Sequence, residues 1–106
     1  MSEIYSLDRL QSDRAQAGKS YLEFLRVAPM SAGLYVLPVG ATDRQSPHDQ
    51  DEVYYVISGA AKVRHGQDER RIQKGDVIFV EAKLDHRFFD IEEELVLLVV
   101  FAPAEQ

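Results

Sequence analysis

From Tyr21 onward the chain runs as short apolar stretches, each closed by residues that favour turns: YLEFLRVA, AGLYVLPV, EVYYVISG, AKVRH, RRIQ, DVIFVEA, HRFFD and ELVLLVVFA. Runs of this length, rich in Val, Ile, Tyr and Phe, predict about eight β-strands at the spacing of an all-β sandwich or small barrel. Ser58-Gly59, His65-Gly66-Gln67-Asp68 and Lys74-Gly75-Asp76 supply residues that tolerate tight or positive-φ turns between them. One stretch reads differently. LDRLQSDRAQAGK places Leu7 and Leu10 three residues apart among polar spacers and stops at Gly18, which predicts a short helix with glycine just past its end. The expected organisation is an N-terminal capping segment over 1–20 and a single β domain over 21–106. There is no repeat, linker or low-complexity tract.

A chain of 106 residues with 45% hydrophobic residues is long enough for one core and too short for two. Several strands are apolar on both faces, notably Val53 to Ile57 and Leu95 to Phe101, where strict alternation would have left a polar face for solvent. Something must cover the second face. A second copy of the chain would do so and predicts a homodimer; a partner sheet and the N-terminal segment are the alternative cover. The formal charge of -6 argues against nucleic acid and against anionic membrane as partners, since both are captured by clustered Lys and Arg. The absence of cysteine removes disulfides and thiolate metal sites, leaving histidine, carboxylate and water as ligands. The chain opens with no signal-like segment, and its longest apolar run, Leu95 to Ala102, is too short to span a bilayer. A soluble, cytoplasmic protein acting on a small molecule is the expectation.

The most polar stretch is GATDRQSPHDQDEVYYVISG, Gly40 to Gly59, at the mouth of a strand. Residues two apart on a strand share a face, so Ser46 goes with His48, and Glu52 with Tyr54, Val56 and Ser58. If the two sets face the same way, His48 and Glu52 converge. His86, opening a later strand in LDHRFFD, adds a second imidazole. Two neutral imidazoles and a carboxylate make a donor set for a divalent transition metal with open positions for water or substrate. Histidines simply hydrogen-bonded near the surface are the alternative. Tyr54 is the candidate catalytic side chain, its hydroxyl available for donation or proton transfer; a core tyrosine with a satisfied hydroxyl is the other possibility. Asp43, Asp49 and Asp51 read as solvated loop acids, one of which could orient His48. His65, beside a hairpin glycine, reads as exposed and without function.

These residues resemble the cupin family. Gly40 is followed by five residues, Ser46-Pro47-His48, three residues, Glu52, six residues and Gly59, which is similar in spacing to the first cupin motif. Lys74 to Phe88, KGDVIFVEAKLDHRF, resembles the second motif, with Gly75-Asp76 opening a strand and His86 at the place of its metal histidine. The resemblance implies a small antiparallel jelly-roll β-barrel of six to eight strands. It also implies a metal held by His48, Glu52 and His86, the ion being iron, manganese, zinc or nickel. Ser46 stands where the family has its first histidine, reducing the usual three-His, one-Glu set to two His and one carboxylate. Ser46 is then expected to hold a water on the metal or to leave that position to substrate. Glu81, Lys83 and Asp90 replace the proline, glycine and asparagine of the second motif and bear on its turn. An open metal in an apolar barrel, lined by residues such as Phe79, Phe88, Val36 and Tyr54, suits a dioxygenase, isomerase or lyase on a small organic substrate. A non-catalytic module that senses or stores a metal or small ligand, and a scaffold that only mediates interactions, are the competing expectations.

Overall fold

The computed structural model describes residues 3–43 and 47–105. Among these residues one helix, α1 (Leu7–Ala17), is followed by six strands: β1 (Tyr21–Val27), β2 (Met30–Leu37), β3 (Asp51–His65), β4 (Asp68–Gln73), β5 (Val77–Val80) and β6 (His86–Ala102). The helix starts where expected: the Ser6 hydroxyl accepts from the Arg9 N–H at its N-terminus. At the other end Gly18 turns left-handed (φ 68°) and its N–H closes on the Ala15 carbonyl.

All pairings are antiparallel, in the order β1-β2-β6-β3-β4, with β5 beside the first half of β3. The fold is thus the expected all-β jelly roll with a short N-terminal helix, although β1 and β4 form the two ends of this order and are not paired to each other. The eight expected strands are six because two pairs of runs are continuous. EVYYVISG and AKVRH form β3, and HRFFD and ELVLLVVFA form β6. Ser58-Gly59 is therefore a bend inside a strand and not a hairpin turn. The β3–β6 register shifts three times between Val56 and Lys62, and Gly59 sits there at φ 97°. A β-carbon on Gly59 would overlap the Glu94 carbonyl oxygen, so only glycine allows the two strands to cross this closely. The other turn expectations hold: Gly66-Gln67 joins β3 to β4, and Gly75 takes φ 95° ahead of β5.

The bend lays the far half of the sheet over the near half. Val63, Ile72 and Phe88 from beyond it share one core with Tyr54, Val56, Leu97 and Val99 from before it. On the outer face a smaller cluster forms where Leu10 of α1 meets Leu34, Val36 and Val96, with Phe24 and Ile57 against them. The helix covers only part of that face. Val53, Tyr55, Val77 and Phe79 remain between 39% and 66% exposed. Among the described residues no helix is long and apolar enough to cross a membrane.

Candidate metal centre

Three of the residues singled out by spacing meet on the inner face. Glu52 is the second residue of β3 and His86 the first of β6, both almost fully buried, while His48 comes in from the loop before β3. That loop is fastened by the Lys83 N–H, which donates to the His48 carbonyl, and by Asp51, whose carboxylate accepts from the Ala82 N–H. His48 Nε2 lies 3.8 Å from Glu52 Oε1, and His86 Nε2 lies 3.6 Å from Glu52 Oε2. One donor atom from each of the three residues falls within 4.8 Å of the others. Ser46, expected to bear on the same site, lies outside the described residues.

Tyr54 joins them as strand parity predicts. It is fully buried, its hydroxyl donates to Glu52 Oε2, and the Tyr54 hydroxyl oxygen lies 3.0 Å from His86 Nε2. Its ring packs edge-on against Phe88. His86 Nδ1 lies 3.1 Å from the Leu84 carbonyl oxygen, an acceptor only, so a neutral ring with its proton on Nδ1 satisfies that carbonyl and turns the Nε2 lone pair toward Glu52. Burial holds the Glu52 carboxyl above the usual carboxylate range, opposed by the Tyr54 hydrogen bond and the neighbouring imidazoles. Imidazole nitrogen, imidazole nitrogen and carboxylate oxygen, turned toward one small volume with a carboxylate that benefits from a nearby positive charge, fit a divalent first-row cation.

Beside these groups opens a cavity of about 540 Å³, lined among others by Tyr21, Tyr35, Leu37, Val99 and Phe101, with His48 and Tyr54 in its wall. The expected lining is corrected at three positions. Phe79 points outward, Val36 is buried under the helix, and Phe88 is packed into the core behind Tyr54. The Tyr21 ring lies over Gly33, where a β-carbon would overlap it, so this glycine makes room for one aromatic wall. Burial raises the Tyr21 and Tyr35 hydroxyls well above the ordinary tyrosine range.

Asp43 departs from the solvated acid expected of it. It is 1% exposed, accepts from the Tyr35 hydroxyl and the Phe88 N–H, and ties the loop after β2 to β6. The carboxylate beside His48 is instead Glu105, which lies 3.1 Å from His48 Nδ1 and reaches the site from beyond the end of β6. No local spacing in the sequence connects residue 105 to residue 48. His65 is half-buried in the last pair of β3.

Residues 33–101 match the cupin domain family (Cupin_2), and the chain belongs to it. Across nearly its whole length it is similar to SCO3923, an uncharacterized protein of Streptomyces coelicolor. The two are 46% identical over 103 residues, which make up 97% of this chain and 98% of that one. Among solved structures, TT1209 from Thermus thermophilus superposes with a TM-score of 0.77 at 27% identity, over 97% of this chain and 99% of that one. The DMSP lyase DddQ from Ruegeria pomeroyi DSS-3 shares the fold at a TM-score of 0.70 and 18% identity, over 83% of this chain and 49% of that one.

Proposed function

We propose that this cupin binds a divalent transition metal, iron, manganese, zinc or nickel, through His48, Glu52 and His86, and acts with it on a small organic substrate held in the adjoining cavity. The observation that carries this reading is the convergence of the two Nε2 atoms and the Glu52 carboxylate beside an aromatic-walled cavity. Such a cation would supply a Lewis acid to a substrate oxygen, the chemistry of isomerase and lyase reactions, while a dioxygenase reaction would need dioxygen as co-substrate and a redox-active ion such as iron. Tyr54 is the group placed to give or take a proton, since its hydroxyl stands between Glu52 and His86 and its side chain lines the cavity. The aromatic walls surround an apolar body and exclude water from it. The lyase named among the structural relatives shows the fold alone and supports the reading only at the level of the class.

Metal analysis of protein purified without an affinity tag tests the site. Wild type should carry close to one equivalent of metal, and His86→Ala should lose most of it, because two remaining ligands do not enclose the ion. Equal metal content in the two proteins would overturn the proposed ligand set. A site that holds metal but never turns over a bound small molecule would place the chain with the sensing or storage modules.

The reading extends to a cytoplasmic homodimer, with the second copy seated on the exposed outer-face residues Val53, Tyr55, Val77 and Phe79. Size-exclusion chromatography with light scattering at micromolar concentration tests it, and a strict monomer would overturn it.

A further inference from the structure

The two histidines of the centre are aimed by different means. His86 is on a strand, and its Nδ1 faces a backbone carbonyl oxygen, which can only accept. His48 is on a loop, where no strand fixes the ring. Its Nδ1 faces the carboxylate of Glu105 at 3.1 Å, and its ring stands edge-on to Phe101 with centroids 5.1 Å apart.

Glu105 is held firmly enough to do this. After β6 the chain passes Pro103, and buried Ala104 donates its N–H to the Ala28 carbonyl at 3.3 Å. The Glu105 N–H donates to the Ser31 hydroxyl at 2.9 Å, and its carbonyl accepts from the Arg26 guanidinium. Three bonds thus fasten the segment to the β1–β2 hairpin, and the Glu105 side chain enters the cavity wall only 25% exposed.

A neutral imidazole has one N–H, and a carboxylate attracts it. With Nδ1 protonated toward Glu105, His48 presents an Nε2 lone pair on the side of Glu52, as His86 does from across the site. We propose that Glu105 is a positioning residue of the metal centre: it fixes the Nδ1–H tautomer and the ring orientation of His48, and so makes that histidine a ligand through Nε2. The inference rests on the metal-binding reading above for its purpose, while the tautomer it assigns exists without metal. Carboxylates that accept the distal N–H of a ligating histidine act this way in metal sites generally, and their loss costs about 10- to 100-fold in metal affinity.

The test has a metal-free arm and a metal arm. In metal-free protein at about pH 8, where an ordinary histidine is neutral, long-range proton–nitrogen correlation spectra assign each ring's tautomer. His48 should be the Nδ1–H form in wild type, shift toward Nε2–H in Glu105→Ala, and return to Nδ1–H in Glu105→Gln, whose carbonyl oxygen still accepts. His86, held by Leu84, should not change and serves as the internal control. Titration with Co²⁺ should then show affinity about 10- to 100-fold weaker and an altered visible spectrum in Glu105→Ala, with Glu105→Gln nearer to wild type. An unchanged His48 tautomer in Glu105→Ala overturns the inference whether or not metal binds. A tautomer that responds in a protein that takes up no Co²⁺ upholds the positioning role and overturns the metal reading. Equal Co²⁺ affinity and spectra in wild type and Glu105→Ala overturn the role at the metal.

Discussion

The two faces of β3 are built from the same kinds of residue and end in opposite circumstances. On the inner face Glu52, Tyr54 and Val56 are no more than 1% exposed; on the outer face Val53 and Tyr55 are 39% and 42% exposed. The cross-strand partners follow suit. Val99 opposite Tyr54 is buried, whereas Val77 and Phe79, opposite Tyr55 and Val53, are exposed. Hydrophobicity along a strand therefore does not say which face becomes the interior. That is decided by where the strand bends and by what the helix reaches: the bend closes the inner face, and Leu10 of α1 covers the part of the outer face around Leu34, Val36 and Val96.

The change that should damage this arrangement most is Gly59→Ala. The new β-carbon meets the Glu94 carbonyl at a backbone angle that side chains rarely adopt. A loss of about 3 kcal/mol or more in chemical denaturation, together with loss of bound metal, is expected. Next comes a pair of neighbours on β6. Leu97 is fully buried in the inner core, so Leu97→Ala should cost about 2–5 kcal/mol. Leu98 faces outward beside Tyr55, so Leu98→Ala should cost about 1 kcal/mol or less in a monomer. A Leu98→Ala cost that grows with protein concentration would show that a second copy covers the outer face.

Glu52→Gln sharpens the inner side of the comparison. Because burial raises the folded-state pKa of Glu52, folding favours its protonated form. Metal-free wild type should therefore lose stability as pH climbs from the ordinary carboxylate range through the raised folded value. Below that range both states are protonated and the penalty vanishes. In metal-free protein Glu52→Gln should remove this slope, melt at or above wild type near neutral pH, and no longer bind metal; denaturation at several pH values in chelator checks it. The smallest stability effect belongs to the outer face: Tyr55→Ser with Phe79→Ser should shift monomer stability by only about 0.5 kcal/mol per site. The same pair should convert a dimer to monomer in light scattering.

The convergence of His48, Glu52 and His86 was legible because ligand chemistry and motif spacing point to the same residues, and the place of Tyr54 beside them followed because it sits two residues from Glu52 on one strand. Val36 and Phe79 lie outside the cavity that the sequence pattern suggests for them, for the complementary reason. Alternation along β2 or β5 gives two faces but not which one is inside, and neither strand carries a ligand that would anchor the choice. The sequence pattern suggests eight strands, and the described residues form six, because a glycine that bends a strand and a glycine that ends one look alike in sequence. Glu105 left no trace, since it reaches His48 through a segment fastened to the β1–β2 hairpin, a tertiary relation with no sequence period.

In the strand register Glu52 pairs with Phe101 while His86 pairs with His65, so the two residues belong to opposite ends of the β3–β6 ribbon. The thirteen steps from Glu52 to His65 would span about 40 Å in a straight strand, yet the Glu52 carboxylate and the His86 ring are 3.6 Å apart. A cation bound between them, as proposed, would act as a clasp on the folded-over ribbon, held only when the two halves are closed. Its binding energy is then also folding energy: at a free concentration of one hundred times Kd it would add about 2.7 kcal/mol to the stability of the whole domain.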